Sequence, residues 1–418
     1  MQRVIVSGGE RLGGEVRIGG SKNAALPLLF GGIVTGGECV FSKLPRVSDV
    51  LRSLEILRAM GARIRFFENR EVSVDYRGVR PVLPPAHLTG AIRGSVYLLG
   101  SMLARFGQAC MAGAGGCDFG ARPIDQHLAG FAVMGAQLEE GEVLCITAPQ
   151  GLVGTDFTLA MPSVGATANL ILAAVGASGE TVIRNAAAEP HVVALGEFLC
   201  AAGARIEGIG TETVRVFGGL PLHGVSHRII PDMIEAGTYL CAGMACEGPV
   251  IVRDVCPAHL EALLSAFREM GGEVTSGADW ACVACHGKYR NICAETAPYP
   301  GFPTDLHPQL TALFALGTRA EGEGVMRERI WCERFRYVQG LQKMGADIRI
   351  AGECATVRPA PLHATSVRAP DLRGGAALLL AALATKGQSE ITNACMLARG
   401  YEHLEEKLTA LGARVRCY

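Results

Sequence analysis

The segment Ala59-Met60-Gly61-Ala62-Arg63-Ile64 decides the fold, because close variants of it recur along the whole chain. Every variant joins the end of an apolar helix, a glycine followed by a small residue, and the start of a strand. The glycine suits the position just past a helix, where the backbone adopts a positive φ. Successive glycines are about 70 residues apart, a period that indicates internal repetition, and they are Gly61, Gly135, Gly203, Gly271, Gly345 and Gly412.

Each copy also contains an earlier helix of small and aliphatic residues. These first helices are expected to begin near Ser21, Gly94, Ser163, Asp232, Thr304 and Asp371. A strand and the second helix come next, so each copy is predicted to be a βαβαββ-type unit of an α/β protein. Solenoid repeats usually span about 20–50 residues, so we interpret this longer unit as a small packed layer. Six layers divide naturally as three plus three, which predicts two domains with a ligand-binding cleft between them.

Composition narrows the class of protein. A chain of 418 residues suggests two or three domains at ~150 residues each. With 39 Lys+Arg, 40 Asp+Glu and no basic tail, a nucleic-acid partner is not expected. The start of the chain has no apolar signal core, and the longest apolar run, near 374–385, is too short to span a membrane. We therefore expect a cytoplasmic protein without membrane insertion, and its oligomeric state stays open.

The 15 cysteines are interpreted mainly as small core residues of a protein in a reducing compartment. Cys282-Val-Ala-Cys285-His286 matches the attachment pattern of a c-type haem, but residues 280–285 also fit a short apolar strand, which we favour. Cys117 is different, because it lies in a glycine-rich loop five residues before Arg122. A thiol near cations and helix N-termini is reactive, so we expect a function for Cys117 and an inert, buried role for the other cysteines.

Polar residues cluster at two places in the repeated unit. At the starts of the first helices, Ser, Thr and Asp suit ordinary N-caps. Lys22, Arg93 and Arg373 do not, because a cation there opposes the helix dipole unless an anion also binds. Asp305, at another helix start, suits either a cap or a general base. The loop before the second helix carries Arg122, Glu189, Arg334 and Arg399 in different copies. The basic members of both sets could together neutralise phosphate or carboxylate groups.

These residues together resemble the enolpyruvyl transferase family, and within it the members that act on UDP-N-acetylglucosamine. The resemblance covers essentially the whole chain and is strongest at 20–27, 116–125, 163–167, 231–238, 302–305 and 399–402. It implies the two-domain enolpyruvyl-transferase fold, with three units in each domain around an interdomain cleft. One domain is expected to hold residues 1–20 plus 230–418, and the other residues 21–229, which carry the Cys117 loop.

The resemblance also implies the reaction. Phosphoenolpyruvate would give its enolpyruvyl group to the 3-hydroxyl of UDP-N-acetylglucosamine with release of phosphate, the first committed step of peptidoglycan synthesis. No metal or organic cofactor is expected. Lys22, Arg122 and Arg399 would hold phosphoenolpyruvate, with Asn23 close to the reacting groups. Cys117 would be the general acid that protonates the methylene carbon, and the matching cysteine is the one that fosfomycin attacks. Asp305 would accept the hydroxyl proton.

The remaining expected contacts are with the nucleotide sugar. The UDP part would meet Arg93, Arg122, Pro123, Ile124, Asp125, Gln126, Ser163, Val164 and Gly165. Further substrate-binding positions are expected at Glu189, Asp232, Ile330, Arg334, Asp371 and Arg373.

One alternative within the family is disfavoured. The member that acts on shikimate 3-phosphate lacks both the loop cysteine and the Arg-Pro-x-Asp phrase, and both are present here. Met161 stands where some relatives have lysine, Ala168 where Glu is common, and Ala398 in a phrase that often holds His and Asp. These departures leave open a divergent copy with altered rate or substrate, or a non-catalytic paralogue that binds the UDP-sugar.

Overall fold

A computed structural model describes residues 1–68, 71–112, 124–139 and 141–418 of the chain. In chain order, the elements before residue 113 are β1 (Arg3–Gly8), β2 (Gly14–Arg17), α1 (Lys22–Thr35), β3 (Glu38–Ser42), α2 (Ser48–Ala59), β4 (Arg63–Phe66), β5 (Val72–Asp75), α3 (Ala86–Thr89), a 3₁₀ helix (Arg93–Val96), α4 (Tyr97–Phe106) and β6 (Gln108–Met111). Between residues 124 and 230 they are α5 (Asp125–Val133), β7 (Gln137–Glu139), β8 (Leu144–Thr147), β9 (Asp156–Thr158), α6 (Val164–Ala174), β10 (Glu180–Arg184), α7 (Pro190–Ala201), β11 (Arg205–Glu207), β12 (Thr213–Phe217) and β13 (Ser226–Arg228).

The elements after residue 230 have the same pattern. They are α8 (Met233–Ala245), β14 (Val250–Arg253), a 3₁₀ helix (Pro257–Leu260), α9 (Glu261–Met270), β15 (Glu273–Ser276), β16 (Trp280–Ala284), β17 (Tyr289–Arg290), β18 (Cys293–Glu295), a 3₁₀ helix (Thr304–Leu306), α10 (His307–Ala315), β19 (Ala320–Glu321), β20 (Gly324–Arg327), α11 (Val338–Lys343), β21 (Asp347–Ala351), β22 (Cys354–Arg358), β23 (Ser366–Arg368), α12 (Leu372–Ala384), β24 (Gly387–Thr392), a 3₁₀ helix (Ala394–Arg399), α13 (Leu404–Ala410) and β25 (Arg414–Cys417).

The described residues divide into two compact units. The terminal unit consists of Met1–Gly19 and Pro231–Tyr418, and the central unit of residues 20–112 and 124–230. Each unit holds three of the repeated copies. The expected βαβαββ order is present in both units, with two departures among the described residues. Copy two has no strand of its own before the first helix, and copy six ends after one closing strand, β25. The first helices of copies two and five begin with a 3₁₀ turn at Arg93 and Thr304 rather than as α-helix.

The glycine of the recurring segment has the predicted backbone in every copy. Its φ lies between the 93° of Gly412 and the 109° of Gly203. At Gly61 the need for glycine is also steric, because an added Cβ would lie 2.2 Å from the carbonyl oxygen of Gly78. The glycine therefore ends the second helix and turns the chain into the next strand.

Each copy folds its strands into one small sheet. In copy three, β9 runs parallel to β10, β10 pairs antiparallel with β12, and β12 pairs antiparallel with β11. Three strands pair in the sheet of a copy that is distant from them in sequence. β13 completes the sheet of copy one beside β3, β2 completes that of copy four beside β14, and β1 lies between β24 and β25 in copy six. The period of the sequence cannot reveal these exchanges, because a strand can pair with any free sheet edge.

The first helices form the core of each unit. α1, α4 and α6 pack together in the central unit, and α8, α10 and α12 in the terminal unit. Residues from Leu372 to Leu383 of α12 are all buried, so the apolar run near 374–385 is a core helix. Because such a helix is covered on all sides, its polar residues are restricted to its ends. No helix in the described ranges is long and apolar enough to cross a membrane.

The cysteines only partly match the prediction. Cys282 lies in strand β16, which confirms the strand interpretation. Burial raises the pKa of Cys246 to about 12, as expected for an inert core thiol. The prediction was wrong for the exposed thiols Cys200, Cys293, Cys332 and Cys395, and for Cys110 and Cys145, which form a disulfide between β6 and β8. Cys293 lies in the three-residue strand β18, where a one-residue shift in facing decides whether a side chain is buried.

Candidate active site

Asp305 lies at the centre of a charged cluster in the terminal unit. Its Oδ1 accepts a hydrogen bond from Arg334 Nη2 at 2.7 Å, and its Oδ2 accepts from Arg373 Nη2 at 3.0 Å and Nε at 3.2 Å. Both arginine side chains are 3% exposed, whereas Asp305 is 25% exposed. Three residues predicted for the site from distant parts of the chain are therefore in contact, and their charges stabilise the ionised carboxylate.

The start of α12 positions Arg373. The carboxylate of Asp371 caps this helix by accepting the backbone N–H groups of Arg373 and Gly374, each at 2.9 Å. Burial is the largest single influence on the pKa of Arg373 and lowers it. The charge and hydrogen bond of Asp305, acting together with Tyr401 and Asp232, outweigh burial and leave the pKa above its ordinary value. The sequence predicts a bound anion to compensate this cation at a helix start. The structure supplies one from the protein itself, because Asp305 of copy five lies beside Arg373 of copy six.

Arg334 is fixed by a buried network that the sequence analysis missed. Its Nη1 donates to Thr304 Oγ1 at 2.9 Å, and this hydroxyl donates in turn to Glu328 Oε2 at 2.8 Å. Glu328 is fully buried. Its Oε1 accepts from Thr296 Oγ1 at 2.9 Å and from the backbone N–H groups of Ile330 and Trp331 at 2.8 and 2.9 Å. Glu328 therefore holds the turn that precedes Arg334.

His307 extends this network into the core. Its Nδ1 faces Glu328 Oε2 at 3.3 Å, and its Nε2 is 3.0 Å from the hydroxyl of Tyr337. Burial, together with the positive charge of Arg334, holds the pKa of His307 well below its ordinary value. The neutral ring can accept the tyrosine hydroxyl at Nε2, which places its hydrogen on Nδ1, on the side of Glu328. A histidine at the start of an otherwise uncharged helix, two residues after Asp305, was the available signal for this role.

Two other predicted positions of the terminal unit lie at the ends of further helices. Asp232 caps α8 by accepting the N–H groups of Ile234 and Glu235 at 2.8 and 3.0 Å. Arg399 is 7% exposed and ends the 3₁₀ helix Ala394–Arg399. An added Cβ on the next residue, Gly400, would lie 3.5 Å from Arg373 Nη1. Arg399 thus directly precedes a glycine that lies beside Arg373.

Lys22 occupies the first turn of α1 in the central unit. Its Nζ is 3.3 Å from Asp49 Oδ2, and the two side chains are 13% and 3% exposed. Ser21 caps the helix by accepting the N–H of Ala24 at 3.3 Å, and Asn23 beside Lys22 is half-buried. Asp49 was missed, and it corrects the expectation that only a ligand would balance Lys22. An acidic residue at the start of the next helix, 27 positions away, gave no local signal.

Predicted contacts of the UDP part also come together in the central unit. Ser163 caps α6 by accepting the N–H of Ala166 at 3.3 Å, and Val164 and Gly165 form the first turn. Gln126 Oε1 accepts the N–H of Met161 at 3.3 Å, which brings the start of α5 beside the start of α6. Ile124 and Asp125 precede and begin α5, so they share this location.

Three further predictions have different outcomes. Arg93 is half-buried in the 3₁₀ helix before α4, and burial lowers its pKa. Glu189 directly precedes α7, but its side chain does not cap that helix. Cys117, Arg122 and Pro123 lie outside the described residues, and their roles stay predictions.

Comparison with known proteins identifies the family. A family model described as EPSP synthase (3-phosphoshikimate 1-carboxyvinyltransferase) matches residues 6–408. The chain belongs to the enolpyruvyl transferase family. It is 42% identical to UDP-N-acetylglucosamine 1-carboxyvinyltransferase 2 of Carboxydothermus hydrogenoformans, over 99% of each chain. It is 40% identical to UDP-N-acetylglucosamine 1-carboxyvinyltransferase of Halothermothrix orenii, over 100% of this chain and 99% of the relative.

Solved structures of enolpyruvyl transferases share the fold. The enolpyruvyl transferase NikO from Streptomyces tendae has a TM-score of 0.89 and 29% identity, covering 99% of this chain and 98% of that one. An EPSP synthase from Acinetobacter baumannii has a TM-score of 0.73 and 20% identity, with both chains covered completely. At that identity, the likeness to EPSP synthase concerns the fold alone.

Proposed function

We propose that this chain transfers the enolpyruvyl group of phosphoenolpyruvate to the 3-hydroxyl of UDP-N-acetylglucosamine and releases phosphate, the first committed step of peptidoglycan synthesis. The observation that carries this proposal is the 42% identity to a UDP-N-acetylglucosamine 1-carboxyvinyltransferase over 99% of both chains. Transfer to shikimate 3-phosphate has weaker support, because the compared EPSP synthase is only 20% identical. Among the described cysteines, 12 are free thiols and two form the Cys110–Cys145 disulfide. Because the free thiols predominate, a reducing compartment is favoured, and we propose that the reaction takes place in the cytoplasm.

Asp305 is the proposed general base. A base must be ionised and aimed, and the contacts with Arg334 and Arg373 meet both requirements. The carboxylate is a quarter exposed, so a substrate hydroxyl can approach it from the open side. We propose that the hydroxyl proton moves to Asp305 as the hydroxyl oxygen bonds to the enolpyruvyl carbon.

Basic residues are proposed to hold the second substrate. Lys22, Arg122 and Arg399 would bind the phosphate and carboxylate groups of phosphoenolpyruvate, with Asn23 near the reacting atoms. Lys22 is already aimed by Asp49, so little reorganisation would accompany binding. Fixed positive charges of this kind stabilise a leaving phosphate more in the transition state than in water.

Cys117 is the proposed general acid. Its thiol would add a proton to the methylene carbon of phosphoenolpyruvate, which makes the neighbouring carbon susceptible to the sugar hydroxyl. Because the product keeps the carbon–carbon double bond, the new methyl group must lose one proton as phosphate departs. After the methylene carbon has taken the proton, the thiolate could bond to the neighbouring carbon, so that S–H adds across the carbon–carbon double bond. The thiolate would also be the target of fosfomycin.

The nucleotide sugar is proposed to contact the starts of α5 and α6. Arg93, residues 122–126 and residues 163–165 would meet the UDP part. Ile330, Glu189, Arg334 and Arg373 would complete the sugar surroundings. Asp232 and Asp371 use their carboxylates as helix caps, so we propose that they act by fixing the helix starts.

The test is phosphate release by the purified chain given phosphoenolpyruvate and UDP-N-acetylglucosamine, with each substrate omitted in turn as a control. Release that requires both substrates is the expected result. Binding of the nucleotide sugar without release would instead favour a non-catalytic paralogue. Cys117→Asp should keep activity and resist fosfomycin, whereas Cys117→Ser should lose most activity. A fully active serine variant would remove Cys117 from the mechanism.

A further inference from the structure

The sheet of copy two has one strand fewer than the sheets of the other copies. Its described strands are β6, β8 and β7 in that order, whereas every other copy has a four-stranded sheet. Within the described residues, β6 pairs on one side only, with β8. The equivalent strands of the other copies pair on both sides, and one of the two neighbours is always parallel; these strands are β3, β10, β14, β20 and β24. β6 is therefore held by fewer backbone hydrogen bonds than its equivalents.

The segment that lies near β6 is poorly suited to supply the missing strand. Pro81 and Pro84 line a small cavity together with Ala109 and Cys110 of β6. Residues 81–85 read Pro-Val-Leu-Pro-Pro. Proline has no N–H group to donate to a neighbouring strand. Among the described residues, the backbone attachment of β6 thus comes from β8 alone.

The Cys110–Cys145 disulfide joins these same two strands. The two cysteines are register partners in the antiparallel pairing of β6 with β8, and their Cα atoms are 4.3 Å apart. That spacing is typical of a non-hydrogen-bonded pair, in which the two side chains lie closest. The other described cysteines are free thiols. The disulfide of the described residues therefore attaches the strand that lacks a second neighbour.

Both sulfur atoms are on the outer face of the sheet. Ala109, Met111 and Ile146 alternate with the two cysteines along the strands and are buried, whereas Cys110 and Cys145 are only half-buried. Thiol–disulfide exchange requires that a thiolate reach one of the sulfur atoms, and this location permits it. The backbone pairs on either side do not involve the sulfur atoms. The thiols of a reduced pair would therefore remain opposite each other and could form the bond again.

We propose that Cys110 and Cys145 are a reversible redox modification site that exchanges with dithiols. In the reduction, the sulfur–sulfur bond of the protein breaks, each cysteine gains a hydrogen, and the dithiol becomes a disulfide. A disulfide oxidant such as glutathione disulfide takes up the two hydrogens in the reverse direction. The bond takes over the attachment that a parallel neighbour provides in the other copies. β6 ends at Met111, six residues before Cys117, so the strand under redox control leads towards the proposed general acid.

Differential alkylation of the folded chain tests reversibility. The purified full-length chain would be incubated with dithiothreitol or glutathione disulfide, its free thiols blocked with N-ethylmaleimide, and its peptides identified by mass spectrometry. Circular dichroism would check that the chain stays folded. After dithiothreitol both cysteines should be alkylated, and after glutathione disulfide they should be recovered as one linked pair of peptides. A bond that resists dithiothreitol in the folded chain, or that does not form again, would overturn the proposal.

Amide hydrogen exchange tests what the bond does. In the wild type, the N–H groups of residues 108–111 should exchange at least about tenfold faster in the reduced form than in the oxidised form. β10 of copy three is the matched internal control, because it is an equivalent strand with a neighbour on each side, and its exchange should change far less. Equal exchange of β6 in the two forms, or an equal change in β10, would contradict a local attachment.

Two serine substitutions separate this bond from the other thiols. Cys145→Ser removes the bond, so β6 should exchange as in the reduced wild type, with either reagent. Cys200→Ser is the matched control, because Cys200 is an exposed free thiol of the same unit, and it should keep both wild-type patterns. A redox response of β6 that survives Cys145→Ser, or that Cys200→Ser abolishes, would assign the response to another thiol and overturn the proposal.

Discussion

Asp305→Asn is the substitution with the most informative consequences. The new amide can keep an oxygen towards Arg334, but its NH₂ group then faces the Nε and Nη2 donors of Arg373, which now lie 3.2 and 3.0 Å from Oδ2. Removing one partner of a buried ion pair typically costs about 3–5 kcal/mol. Asp305 is a quarter exposed, so water should compensate part of this, and we expect a loss of about 2–3 kcal/mol.

Stability and activity can be measured separately for this variant. Both tryptophans of the chain, Trp280 and Trp331, lie in the terminal unit, so their fluorescence during urea unfolding reports on the unit that holds Asp305. Phosphate release should fall about 10²- to 10⁴-fold, the usual contribution of a general base. Glu353→Gln is the matched control, because its contact with Arg329 is also 3.0 Å but about half exposed. It should cost below about 1 kcal/mol and leave phosphate release unchanged.

Two results would refute the reasoning on Asp305. A change in unfolding free energy as small as that of Glu353→Gln would mean that Asp305 is not needed to compensate the charges of the two buried arginines. Phosphate release within tenfold of the wild type would exclude Asp305 as the general base, whatever the effect on stability.

Three further predictions concern single positions. Glu328→Gln replaces one accepting oxygen by an NH₂ group, which would face the buried donors that Glu328 now accepts from. It should lower the unfolding free energy of the terminal unit by about 3 kcal/mol in the same fluorescence assay. A loss below about 1 kcal/mol would contradict the role of Glu328 in holding the turn. Because the pKa of His127 is lowered from 6.5 to about 4, its contribution to stability is complete above pH 6.5 and is lost as the pH falls through about 4. Amide hydrogen exchange in the central unit should show that the unfolding free energy of the wild type falls by about 3 kcal/mol over this pH window, and that the fall is absent in His127→Gln. Identical pH profiles for the two proteins would refute this prediction. Gly271→Ala has open space around its Cβ and should cost about 1 kcal/mol for its positive φ, whereas Gly61→Ala should cost more because its Cβ meets the oxygen of Gly78; equal losses in thermal unfolding would contradict the steric argument.

Local signals predicted much of the fold. The glycine that ends each second helix was recognisable because its positive φ is a requirement of the backbone at that residue. Caps such as Ser163 and Asp371 were recognisable for the same reason, since each one serves N–H groups two or three residues away. The exchange of β2 and β13 between copies was not predictable, because strand pairing depends on which sheet edge is close in space.

The ion pairs of the candidate site were not predictable, because their two members lie far apart in sequence. Lys22 and Arg373 were correctly singled out as cations that need an anion, but their partners Asp49 and Asp305 lie 27 and 68 positions away. Glu328 gave no signal at all, because its neighbours in sequence are two ordinary charged residues and only the fold shows that it is buried. The local sequence thus indicated which groups require compensation, whereas the packing of the copies supplies it.

The most direct test of the proposed function compares two acceptors under identical conditions. Phosphate release from phosphoenolpyruvate would be measured with UDP-N-acetylglucosamine in one reaction and shikimate 3-phosphate in the other, with mass spectrometry of the products. We predict release only with UDP-N-acetylglucosamine, matched by an equal amount of its enolpyruvyl ether. Release with shikimate 3-phosphate alone, or with neither acceptor, would contradict the proposed function.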